Sequence, residues 1–200
     1  RPNPFSLARV GEAVGVFYGF RALGVYARDE DNVYIDANGV SSQYRRGSAN
    51  GDIYKGGDVI YEDINNDGII DINDLQIIGN PTPRAFGGLQ NTFAYKRFTF
   101  SVFVNYVFGN QIFNQLNRNQ DSNQFDPNYS DKQLRRWRQQ GDVTDIPRLV
   151  KGDPMQSYAI SSRFVEDGSF IRFQNVALSY SLPAKTISKL GLTNANIGIN

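Results

Sequence analysis

Five oxygen-bearing side chains lie close together in one short stretch of the chain. In DINNDGIIDIND, residues 63–74, Asp63, Asn65, Asp67, Asp71 and Asp74 stand at loop positions 1, 3, 5, 9 and 12, with Gly68 at position 6. Calcium takes about six to eight hard oxygen ligands, and its loops need a sharp central turn. Carboxylates, an amide and a glycine at this spacing therefore point to Ca2+. The ligand set read from the spacing is Asp63, Asn65, Asp67 and Asp71 through side-chain oxygens, Ile69 through its carbonyl, and Asp74 where a glutamate more often closes the shell. Aspartate is one methylene shorter, which limits bidentate reach. The same residue types also favour turns on their own, so a metal-free Asp/Asn/Gly turn stands beside the calcium reading. No long helix precedes the loop; the expected role of the cation is structural, cancelling carboxylate repulsion and fixing an external loop.

A second cluster, Arg135, Arg136, Trp137 and Arg138, could stack on a sugar or hold a partner's carboxylates. A solvated face with a packed tryptophan is the plainer alternative. Catalysis has little to work with. The chain has neither cysteine nor histidine, which removes thiol nucleophiles, imidazole bases and the usual zinc sites, and it shows no serine elbow or phosphate-binding glycine loop. It is expected not to be an enzyme. With 21 basic and 20 acidic residues it has no global field for nucleic acid, and no nucleic-acid partner is expected.

The elements that must carry these residues read as strands. No run approaches the roughly 20 apolar residues of a membrane helix, but a barrel strand needs only about 9 to 11 alternating ones. Ala13 to Tyr26 alternates with Val14, Val16, Tyr18, Phe20 and Ala22 on one apolar face, and residues 27–52 read as loop. GGDVIYE is strand-like, Leu75 to Ile78 is a short apolar anchor, and residues 79–83 form a proline-stiffened turn. Residues 84–108 form the clearest hairpin, turning at Lys96-Arg97. Its second strand puts Phe98, Phe100, Val102, Val104, Tyr106 and Phe108 on one face, opposite Thr99, Ser101 and Asn105. Residues 109–162 read as a long polar loop with a possible short helix in DKQLRRWRQQGD. A third strand, Phe170 to Leu182, changes phase near Gln174-Asn175, which suits a bulge or the end of the membrane-spanning part. PAKTISKLGL reads as a short helix and NANIGIN as the start of another strand. Short turns on one side and long loops on the other are the habit of outer-membrane barrels, which puts the Lys96-Arg97 turn inside and the long segment outside. Both ends read as cut, so residues 1–200 are expected to be a fragment of one barrel domain, all-β and antiparallel.

Taken in order, VGEAVGVFYGFRALGVY, GGDVIYEDINNDGIIDINDLQIIGNPTPRAFGGLQNTFAYKRFTFSVFVNYVFGNQIFN, SSRFVEDGSFIRFQNVALSYSLP and KLGLTNANIGIN resemble the C-terminal barrel region of SusC/RagA-type TonB-linked outer-membrane proteins of Bacteroidetes. The acidic loop joined through IIGNPTP to the YKRF hairpin is the most specific part. The resemblance implies a plugged transmembrane barrel of the 22-stranded class, of which this chain holds late strands and extracellular loops without plug or closing strands. It also implies location in the bacterial outer membrane, in contact with its lipid, and import of oligosaccharides or peptides. A SusD-like surface lipoprotein would be the partner, and the TonB complex would act through the plug region.

Two other readings fit parts of the chain: a secreted calcium-stabilised β-sandwich for adhesion or glycan binding, and a dockerin-like module. A dockerin needs a second acidic loop and flanking helices, and only one loop is present. A sandwich must bury the even face of residues 98–108, whereas a barrel leaves it exposed.

Overall fold

Alternation of aromatic and β-branched residues with small polar ones sets the longest strands of the computed structural model, which describes residues 6–121, 129–188 and 191–200. Eight strands come first: β1 (Phe17–Phe20), β2 (Ala22–Val25), β3 (Tyr34–Ile35), β4 (Ser41–Ser42), β5 (Arg45–Arg46), β6 (Val59–Tyr61), β7 (Ile69–Ile70) and β8 (Leu75–Gly79). The long pair β9 (Ala85–Tyr95) and β10 (Phe98–Phe108) follows, then β11 (Gln111–Phe113) and helix α1 (Gln115–Asp121). The chain ends with β12 (Val165–Asp167), β13 (Phe170–Ser181), helix α2 (Ala184–Ile187) and β14 (Asn196–Ile199). Among the described residues no helix is long and apolar enough to cross a membrane. The chain falls into two units, residues 1–82 with 111–166 and residues 83–110 with 167–200.

The second unit is a four-stranded antiparallel sheet in the order β14-β13-β10-β9. The expected hairpin is present with Tyr95 opposite Phe98, and Lys96 takes a left-handed φ of 54° in its turn. Side chains in register share a face. Phe98, Phe100 and Val102 therefore stand beside Tyr180, Leu178 and Val176 on one side and Tyr95, Phe93 and Asn91 on the other. One step further the register shifts. Phe103 pairs with Asn175 but Val104 pairs with Phe173, so Gln174 is the extra residue of a bulge. The bulge accounts for the phase change read in the sequence. It returns Phe173 and Ile171 to the face that already holds Val176, Leu178 and Tyr180, and Ile197 and Ile199 extend that face onto β14. The face is open: Phe93 is 57% exposed, Phe98 51% and Phe173 70%. A sandwich would bury it. The opposite face carries Thr92, Gln90, Thr99, Ser101, Asn105, Asn175 and Ser179, with Phe103 among them and Phe86, Val107 and Phe170 at its far end. Strands of 11 and 12 residues suit a tilted crossing of the hydrocarbon layer.

The first unit is a set of short pairings around a core of Tyr26, Tyr54, Val59, Tyr61, Ile70 and Met155. Ala13 to Tyr26 is not the single strand expected. It breaks at Arg21, with β1 pairing with β8 and β2 with β6. Its buried residues are Val16, Phe17, Gly19 and Tyr26, which do not keep to the even face, and Val14 is exposed. The cause is a close backbone approach: the Phe20 N–H donates to the Ile160 carbonyl at 2.9 Å, and a β-carbon on Gly19 would overlap that same oxygen. Residues 27–52 contain β3, β4 and β5 where a plain loop is expected. Of residues 109–162, read as a polar loop, Ile146, Met155 and Tyr158 are buried in this unit, and Phe164 just beyond that stretch is buried in it as well. Part of that stretch, residues 122–128, lies outside the described residues, as do 1–5 and two positions of PAKTISKLGL, 189 and 190.

Replacing Val102 by arginine should lower the stability of the full-length protein in lipid vesicles by about 2–4 kcal/mol. Replacing Ser101 by arginine on the other face should change it by about 0.5 kcal/mol or less. Urea unfolding reads both, and equal losses would sink the assignment of the faces.

Candidate functional site

The acidic loop is made by its own side chains. Asp63 accepts the Gly68 N–H at 2.8 Å, Asp67 accepts the Ile69 N–H at 2.8 Å, and Asp71 accepts the Asn73 N–H at 2.7 Å. Asn65 joins by donating its amide to Asp67 at 2.8 Å. Asp74 closes the stretch, accepting from the Ile64 N–H at 2.9 Å through one oxygen and the Asp71 N–H at 2.8 Å through the other. It is completely buried. Burial pushes the Asp74 carboxyl up from its ordinary range; the two amide bonds oppose this, and the charges of Asp63 and Asp71 add to it. Gly68 has a φ of 75°, and a β-carbon there would sit 2.7 Å from the Tyr34 ring, so turn and packing both require glycine.

Neighbouring elements brace the loop. The Tyr34 hydroxyl donates to the Asn66 carbonyl at 2.7 Å. β5 runs parallel to β7, with the Arg45 N–H on the Gly68 carbonyl and the Gly47 N–H on the Ile70 carbonyl, both at 3.0 Å. The Ile69 carbonyl alternates with these two along extended chain. Asp63, Asn65 and Asp67 thus gather around the Gly68 turn, while Asp71 and Asp74 cap the 3-10 turn that follows it, Ile72–Asp74. Their carboxylate oxygens are engaged with the loop's own amides, and among the described residues no three His, Cys, Asp or Glu side chains gather closely enough to hold a metal ion.

The basic-aromatic cluster is dispersed. In place of the expected short helix, Asp131–Arg135 is a 3-10 turn. Trp137 packs inward, its indole N–H donating to the Ala27 carbonyl at 3.0 Å and its ring against Gly56 and Gly57. Arg136 donates to the Gln133 carbonyl and Arg138 to the Leu134 carbonyl, while Arg135 meets Asp145 at 3.6 Å in solvent.

One polar pair was not visible in the sequence. Arg148 donates to both oxygens of Asp58, at 2.8 and 3.0 Å, and the Lys55 N–H adds a third bond at 2.8 Å. Asp58 is 1% exposed and sits beside the aromatic core. Burial pushes its carboxyl up, with the guanidinium and the Lys55 amide holding against that push. Ninety residues separate the partners, and no motif joins them. The bulge residue Gln174 did leave a sequence signal, the reversal of phase across it.

The alternating sheet, short-turned at one end and continuing into long segments at the other, defines a membrane-type all-β segment. No family model matches the chain. Three curated proteins of Formosa agariphila do. TonB-dependent receptor P39 is 35% identical across 94% of this chain, P26 is 34% identical across 94%, and P3 is 30% identical across 97%. The chain spans only about a fifth of their length, 20%, 18% and 18%. Among solved structures, the RagAB peptide importer in its closed-closed state aligns over 100% of this chain and 21% of its own, with TM-score 0.64 and 18% identity. The RagAB peptide transporter aligns over 99% and 19%, with TM-score 0.65 and 16% identity. The fold is therefore that of RagA over this stretch. The chain belongs to the TonB-dependent receptors and is an outer-membrane protein segment. The relatives are named as receptors and importers, in keeping with a chain that is not an enzyme.

Replacing Arg148 by methionine strands a buried carboxylate and should cost about 3–5 kcal/mol at neutral pH. Since burial raises the Asp58 carboxyl, its ionised form carries the penalty. The loss should shrink as pH falls through the raised pKa toward the ordinary value of about 4. Hydrogen exchange across residues 55–61 in the full-length protein measures it; a deficit that grew on acidification would contradict the assignment.

Proposed function

We propose that this chain supplies late strands and extracellular loops to a 22-stranded, plugged, TonB-dependent importer of oligosaccharides or peptides. A SusD-like surface lipoprotein covers its outer mouth, and the TonB complex acts on it through a plug region. The observation that carries the reading is the four-stranded sheet, in which one exposed face keeps an unbroken aromatic and aliphatic series, Phe98, Phe100, Val102, Val104, Phe173, Val176 and Leu178, across the Gln174 bulge. Homology to TonB-dependent receptors and likeness to chains of a RagAB importer supply the transport class. The wet face of the sheet, with Gln90, Ser101, Asn105 and Asn175, lines the lumen, and Arg135 and Arg138 remain exposed for a partner's carboxylates.

Uptake by cells carrying the full-length receptor should stop on deletion of the receptor, on loss of TonB, and on collapse of the proton gradient by a protonophore. Fluorescent oligosaccharide and peptide libraries, run in parallel, read cargo class. Uptake indifferent to the gradient would overturn the importer reading.

The loop of residues 63–74 takes Ca2+ as a structural brace, held by Asp63, Asn65, Asp67 and Asp71, the Ile69 carbonyl and Asp74. Support comes from the oxygen-only donor set at this spacing and from the glycine turn at its centre. Calcium should protect the loop from proteolysis in the full-length receptor, and Asp63→Ala with Asp71→Ala should abolish that protection. Asp74→Ala should loosen the loop with or without calcium, since Asp74 also staples two amides. Protection unaffected by chelation would remove calcium from the account.

A further inference from the structure

Charge is divided unevenly between the two units. Residues 83–110 and 167–200 hold six of the chain's 21 basic residues and one of its 20 acidic ones, Asp167. Asp167 lies at the end of the sheet where β10 gives way to residues 111–166. At the other end stand Lys96 and Arg97 in the hairpin turn and Lys185 in α2, all exposed, with no acidic side chain in the neighbouring sequence. None of the three takes part in an ion pair among the described residues.

Of these, Lys96 borders the apolar face, and the backbone of Arg97 pairs with the end of β13 that leads to Lys185. Tyr95 and Phe98 pair on that face, Phe98 packs on Tyr180 at a tilt of 43° with ring centroids 4.7 Å apart, and the Lys96 ammonium lies 5.2 Å from the centre of the Tyr95 ring. Lys96 is thereby held where hydrocarbon contact ends, on the lipid side of the turn. Aromatic rings followed by basic groups match the order of a membrane leaflet, acyl chain first and phosphate next. A free anion would need only the cations. A phospholipid uses the cations and the rings together.

We propose that the turn end of this sheet binds a phospholipid of the periplasmic leaflet, its phosphate on Lys96, Arg97 and Lys185 and its acyl chains on the Tyr95, Phe98 and Tyr180 rings. The proposal rests on the barrel reading above. Its consequence is vertical register: phosphate contacts at the short turns fix how deep β9, β10 and β13 sit in the bilayer.

The test uses the full-length receptor purified from detergent, with native mass spectrometry counting retained phosphatidylglycerol. The variant is Lys96→Gly, Arg97→Ser and Lys185→Ser. Glycine suits the left-handed φ of 54° at position 96, so the turn is preserved as the charge is removed. Wild-type protein should retain the lipid, and the triple variant should lose about tenfold or more of that retention. Arg172→Ser, which removes a cation from the opposite face of β13, should leave it unchanged. A double variant with Lys185 intact gives a second reading if the triple variant does not fold. Unchanged retention in both variants, or displacement of the lipid by equimolar inorganic phosphate, would overturn the proposal. If the receptor fails to insert into phosphatidylethanolamine–phosphatidylglycerol vesicles at all, the barrel reading fails instead, which insertion assays score separately.

Discussion

The pairing of β10 with β13 is the constraint on which the sheet depends. Side chains alternate with a period of two, so a slip of one residue turns every apolar group to the wrong face. β13 carries Ile171 and Phe173 in one phase and Val176, Leu178 and Tyr180 in the other. Without correction, half of that strand would set aromatic and aliphatic groups on the polar face. One unpaired residue, Gln174, removes the conflict, and β10 can then hold both halves of β13 in register with its own even positions.

A different balance holds the other unit. Among the described residues its strands are two to five residues long and no sheet has more than a pair, so backbone pairing alone cannot order it. Order comes from buried tyrosines and from polar side chains that accept or donate several bonds each. Asp58 joins Arg148 and the Lys55 amide beside Tyr26 and Tyr54. Asn32 accepts from the Tyr44 N–H and donates to the Tyr44 and Tyr54 carbonyls. Asp153 accepts from the Ser157 and Tyr158 amides. Each of these carboxylates and amides is buried, and each replaces a stretch of regular ladder with fixed points. The acidic loop follows the same principle at smaller scale, with Asp74 holding the Ile64 and Asp71 amides together.

What could be read from the sequence was local. The hairpin turning at Lys96-Arg97, the single face of residues 98–108 and the kink near Gln174 all follow from period and turn chemistry, and the loop of residues 63–74 follows from spacing. What could not be read depended on distant contacts. Ala13 to Tyr26 alternates well enough for one strand, yet the Ile160 carbonyl meets Gly19, and two different partners divide the strand at Arg21. Residues 109–162 look polar and loop-like because their buried apolar members, Ile146, Met155 and Tyr158, are scattered without period, and Met155 becomes part of a core only with Tyr26, Tyr54, Val59, Tyr61 and Ile70. Trp137 likewise looked available for stacking until Gly56 and Gly57 left room for its ring.

The chain has no cysteine, so single cysteines can be placed along its strands without background from this segment. Spin labels at successive positions of β10 and β13 in the full-length receptor, reconstituted in lipid, report collision with oxygen from the bilayer or with a water-soluble nickel reagent. The expected result is oxygen access at 98, 100, 102, 104 and 106, nickel access at 99, 101 and 105, and on β13 a reversal of phase across Gln174. A pattern without alternation, or one that ran through Gln174 unchanged, would contradict the single lipid-facing surface on which the account rests.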